Sequence, residues 1–106
     1  MGEMRVLFRS ISVAPTKAMA EHVERTVSTA LAHRREPHLT VHVRLRDLNG
    51  PKGGADQEVV VIERSASSAR VARAVSEDAY AAVSLAVERL NRQGRARAAR
   101  RTRGRS

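Results

Sequence analysis

Leu39 to Glu63 reads LTVHVRLRDLNGPKGGADQEVVVIE. Leu39, Val41, Val43 and Leu45 alternate with Thr40, His42, Arg44 and Arg46, a period of two that sets an apolar face against a polar one along a single strand. Asp47 to Asp56, DLNGPKGGAD, is a glycine-rich turn in which Asn49, Gly50 and Gly54 suit unusual backbone angles. Glu58 to Glu63, EVVVIE, is β-branched, the composition of a strand inside a sheet, so strands are expected on both sides of it.

Upstream, Met4, Val6 and Phe8 alternate with Arg5, Leu7 and Arg9, which predicts a first strand. Pro15 and Thr16 open a helix with Thr16 as its cap, and Met19, Val23, Val27, Ala30 and Leu31 form its apolar stripe until His33 to Pro37 ends it. Downstream, Ser65 to Ala69 is a second turn and Arg70 to Val75 the last strand. Its facing has two solutions, with Ala72 and Ala74 inward or with Val71 and Val75 inward beside Arg73. The first avoids burying an unpaired charge.

Ser76 to Gln93, SEDAYAAVSLAVERLNRQ, reads as the final helix. Ser76 is the expected cap, Glu77 and Asp78 complement the positive end of the helix dipole, and Gly94 is the expected stop. Ala79, Tyr80, Val83, Ala86, Val87 and Leu90 share one face. The order β-α-β-β-β-α predicts an α+β fold: a parallel crossover, then an antiparallel meander, giving a four-stranded mixed sheet with two helices packed on one face.

The 106 residues suffice for one small domain, expected over 1–93, and an arginine-rich tail over 94–106 that is expected to be disordered alone. Of the formal charge of +9, residues 1–91 carry +2 and residues 92–106 carry +7. Such a run is a hook for a polyanion, with nucleic acid the expected partner. Phe8 and Tyr80 are the only aromatic residues, so a surface that stacks single-stranded bases on several rings is excluded. There is no cysteine, which excludes disulfides and thiolate metal sites and fits a cytoplasmic location. No apolar run approaches the ~18 residues of a membrane span, and no secretory signal opens the chain.

The candidate sites are cationic. NGPKGGAD lacks the Gly-Lys-Ser/Thr and the following helix of a P-loop, which leaves two readings, a plain turn or a turn with Lys52 as an auxiliary contact to a nucleic-acid backbone. His38 and His42 would lie ~13 Å apart along an extended strand, too far to share a metal ion. Glu77 and Asp78 are accounted for by the helix start, and no positioned acid–base group suggests an enzyme. Tyr80 reads as a packed ring. Arg44 and Arg46 are open to two readings, a solvated sheet face or an RNA contact. Arg89 and Arg92 lead into Arg95, Arg97, Arg100 and Arg101, and together these extend one basic surface.

The final helix resembles that of the ribosome hibernation promoting factors, also called ribosome-associated inhibitors or sigma-54 modulation proteins. The family pattern falls here on Asp78, Tyr80, Ala81, Ala82, Val83, Arg89, Leu90, Arg92 and Gln93. The loop NGPKGGAD is similar to one in a branch of that family, and the element order agrees. The resemblance runs from Met4 to about Arg95 and leaves the tail outside. It departs at Thr26 and Thr29, where family members often carry lysines.

The resemblance implies a short-form, non-catalytic plug that binds the small ribosomal subunit and its RNA where messenger and transfer RNA would sit. Arg89 and Arg92 would then contact the ribosomal RNA backbone, with Arg25 joining them from the first helix. A monomer is expected, with no cofactor, metal, small-molecule substrate or membrane partner. Two other binding functions fit the same residues: a general structured-RNA or DNA binder, and a ribosome assembly factor.

Overall fold

The computed structural model describes residues 4–11, 14–34, 38–48, 56–66 and 68–104, with side chains through Gln93. Its elements are β1 (Met4–Ser10), α1 (Lys17–Ala30), β2 (Leu39–Asp47), β3 (Gln57–Arg64), β4 (Ala69–Ser76) and α2 (Ala79–Gly104). The expected α+β order therefore holds throughout. The sheet order is β1-β2-β3-β4, with β1 parallel to β2 and the remaining pairs antiparallel.

Register follows from the period-two pattern, because slipping any strand by one residue would expose its apolar set. Toward the helices, Phe8, Val43, Val61 and Ala72 lie in one cross-strand row, and Ser10, Leu45, Val59 and Ala74 in the next. Val41, Val43, Val59 and Val61 are fully buried. The alanines of β4 point inward and Arg73 outward, the facing that avoids a trapped charge. Having only a methyl group, Ala72 and Ala74 leave room for α2, whose Ala82, Val83, Ala86, Val87 and Leu90 complete the core. Burial of each valine or leucine is worth about 1.5–3 kcal/mol relative to exposure.

Thr16 caps α1 as expected, its Oγ1 accepting from the Met19 N–H at 3.1 Å. Met19, Val23, Val27 and Leu31 are the stripe that α1 buries. Two expectations about α2 are corrected. Its cap is Asp78 and not Ser76: Asp78 Oδ1 accepts from the Tyr80 N–H at 3.1 Å, while the Asp78 carbonyl accepts from Ala82. Ser76 still belongs to β4, paired with Gln57, and its Oγ receives only the Asp78 N–H.

Nor does α2 stop at Gly94. It continues through Gly104, so the boundary expected after residue 93 falls inside one helix. A single interior glycine costs about 1 kcal/mol relative to alanine, and the alanines and arginines that follow are strong helix formers.

Candidate nucleic-acid interface

The expected RNA-contact residues divide among separate parts of the fold. Arg25 is exposed on α1, and Arg89 and Arg92 are exposed on α2. Arg95, Arg97, Arg100 and Arg101 fall on the stretch of α2 beyond Gly94. Arg44 and Arg46 point from β2 to the opposite side, the open face of the sheet. Lys52 lies outside the described residues. The fold thus brings together Arg44 with Arg46, and Arg89 with Arg92, but does not merge the two pairs.

Three of these arginines already have partners, Arg46 on the open face and two on α2. Arg89 Nη1 donates to the Arg73 carbonyl at 2.8 Å, and four residues on, Gln93 Nε2 donates to the Val71 carbonyl at 3.0 Å. Both acceptors lie on β4, an edge strand, so α2 covers backbone groups that would otherwise be open to another strand. Arg92 Nη2 donates to Glu88 Oε1 at 2.7 Å, one helical turn back. That pair is exposed and adds little stability.

The open face is more basic than the sequence suggests from β2 alone. Its cross-strand rows are Arg5–Thr40–Arg64–Ala69, then Leu7–His42–Ile62–Val71, then Arg9–Arg44–Val60–Arg73. Arg46 continues the series beside Glu58, the one carboxylate there among the described residues. Glu58 is buried between two cations, its Oε1 3.0 Å from Arg46 Nη2 and its Oε2 bonded by Arg73 Nε. The Arg73 hydrogen bond is the main reason its carboxyl is held below the usual carboxylate range; burial pushes the other way, and the charge of Arg46 adds to the lowering.

Arg5, Arg9, Arg64 and Arg73 are members of this surface that the sequence reading did not single out. The signal was available in β1, where both arginines alternate with the inward Met4, Val6 and Phe8. The helix layer is nearly balanced by comparison, with Lys17 and Arg25 against Glu21 and Glu24 on α1, and Arg89 and Arg92 against Glu88 on α2 as far as Gln93.

Residues 6–102 match the family described as Sigma 54 modulation protein / S30EA ribosomal protein. The chain belongs to that family. The match extends past the arginines at 95, 97, 100 and 101, further than the resemblance drawn from the final helix and loop. Among solved structures, the N-terminal domain of Protein Y from Thermus thermophilus is similar at 19% identity and a TM-score of 0.70, covering 88% of this chain and 94% of that one. A ribosomal subunit interface protein from Coxiella burnetii is similar at 20% identity and a TM-score of 0.60, covering 85% and 92% respectively. Comparison with curated protein sequences finds no match.

Within this S30EA-type fold, several of the motif residues have structural work. Asp78 caps α2, Ala82, Val83 and Leu90 are buried, and Arg89 and Gln93 cover the β4 edge. Tyr80 is less enclosed than expected. It is 40% exposed, with its ring centroid 4.9 Å from that of His22, whose Nε2 lies 3.3 Å from the Tyr80 carbonyl.

Proposed function

We propose that this protein associates with ribosomes by binding small-subunit ribosomal RNA, and that it occupies the messenger and transfer RNA sites as a non-catalytic plug during dormancy or stress. The observation that carries this reading is membership of the sigma 54 modulation/S30EA family over nearly the whole chain. The RNA surface is assigned to the helix side, to Arg25 and Arg92 with the arginines at 95, 97, 100 and 101 on the far part of α2. The balanced charges of the folded helix layer then supply shape and register, and the arginine-rich end supplies most of the sequence-independent attraction to phosphate.

Arg25 and Arg92 make the cleaner test, because reversing Arg89 would also remove a donor from the β4 edge. Sedimentation of the protein with small subunits and intact ribosomes at low salt should show co-migration, and messenger or transfer RNA should compete for the site. The double variant Arg25→Glu/Arg92→Glu should bind at least about tenfold more weakly, from the loss of two phosphate contacts, with an unchanged melting temperature. Absence from both ribosomal species removes the proposal. Co-migration without competition leaves an assembly factor, and equal binding to unrelated RNA or DNA duplexes leaves a general nucleic-acid binder.

A further inference from the structure

The open face of the sheet combines exposed aliphatic side chains with unpaired cations. Leu7 is 42%, Ile11 57%, Val71 53% and Val75 38% exposed. Among the described residues, no carboxylate pairs with Arg5, Arg9, Arg44 or Arg64. The arrangement is ordered. The row Leu7–His42–Ile62–Val71 crosses all four strands, and the arginine-bearing rows lie two residues to either side of it. At 4.8 Å between strands and ~3.3 Å per residue, the row is about 14 Å long, with cations about 7 Å to each side. A notch of ≈ 150 Å³, lined by Ile11, Arg44, Arg46, Glu58 and Val60, indents the same face.

We infer that this face docks an acidic amphipathic α-helix of a partner protein. Among the described residues, helices cover only one side of this sheet, and an open side with exposed apolar residues is completed in layered folds by a second helix layer. Two and a half turns of helix span about 14 Å, so a leucine stripe can lie along the central row with carboxylates on both flanks meeting the arginine rows. The surface is unsuited to other occupants. A second copy would bring arginines against arginines, and ribose-phosphate contacts leave the aliphatic row uncovered where no aromatic ring is present to stack a base. This site is independent of the RNA surface proposed above, which lies on the other side of the sheet.

The test uses the full chain and a synthetic acidic peptide with leucines at alternating three- and four-residue spacings, beside a peptide of the same composition scrambled to break the stripe. The striped peptide should shift the backbone amide resonances of β1, β3 and β4 around Leu7, Ile62 and Val71. Val71→Asp and Arg44→Glu, both on exposed positions, should each weaken it by about tenfold, the scale of a central interface contact. Thermal melts of both variants establish that they are folded. Should Val71→Asp melt early, Leu7→Ser on β1 replaces it.

Four results overturn the inference: equal binding of the scrambled peptide, perturbations confined to α1 and α2, no binding at millimolar peptide, or self-association of the protein through the same residues. An RNA duplex that perturbs this face and displaces the striped peptide assigns the face to RNA instead, and also overturns it.

Discussion

Glu63 shows how a single buried charge shapes this core. It is 2% exposed and faces inward from β3 in line with Val59 and Val61. Arg34, just beyond α1, donates from Nε to Glu63 Oε2 at 3.1 Å, and Arg70 brings its Nε to 2.9 Å from Oε1, close enough for an ion pair but off the hydrogen-bonding direction. Two cations share one carboxylate, and Arg34 Nη2 is buried without a partner among the described residues. Removing the carboxylate takes from Arg34 its hydrogen-bonded anion in a buried site and from Arg70 the anion beside its Nε. Glu63→Ala is therefore expected to destabilise the fold by about 3–5 kcal/mol, measured by urea unfolding; a loss below 1 kcal/mol would place the pair in water.

Glu58 leads to a prediction about acid. Its folded pKa is depressed below the unfolded value of about 4.3. The stabilisation is thus complete above that value and is lost as pH falls through the folded pKa. Glu58→Gln should lower the melting temperature at neutral pH, and the gap to wild type should close in acid below about pH 4. A gap that stays constant across that range contradicts the role given to Arg46 and Arg73.

At the scale of elements, α2 carries most of the consequence. Its start is fixed by Asp78, so Asp78→Ala should cost about 1 kcal/mol, the usual value of an N-cap. Ser76→Ala should cost less, because its hydroxyl receives only the Asp78 N–H at 3.3 Å. Thermal melts of the two variants decide between these residues, and a larger effect at Ser76 would restore the cap expected from sequence. Further along, Arg89 and Gln93 join α2 to the edge of β4. The helix thereby seals the core with its apolar face and covers a sheet edge with its polar side.

For the whole molecule, the question is how charge is apportioned between body and C-terminal segment. The arginines from 95 onward follow a folded body that is close to neutral. Deleting residues 95–106 should weaken RNA binding at low salt and flatten its salt dependence, by about 0.7–0.9 in log–log slope for each phosphate no longer neutralised. The truncated protein should still compete with messenger or transfer RNA at high concentration. Titration of small subunits across a salt series checks this. An unchanged slope means the segment does not touch phosphate, and binding without competition puts the specificity in the segment.

The strands, the first helix, the Thr16 cap and the alternation of faces were all readable along the chain, because a side-chain period of two or 3.6 is a local property. So were the inward alanines of β4, since the alternative would have buried Arg73 alone. Gly94 and Ser76 misled for a local reason as well: each suits a helix end, but Ser76 is held in β4 by Gln57. What no local period reveals is which charges meet. Glu63 finds Arg70, and Glu58 finds Arg46 and Arg73, only once the hairpins fix the register, and Arg34 reaches Glu63 only once α1 is packed on the sheet. The basic open face has the same origin. Arginines from four strands, each an ordinary outward residue in its own segment, become one surface because hydrogen bonding holds the strands ~4.8 Å apart.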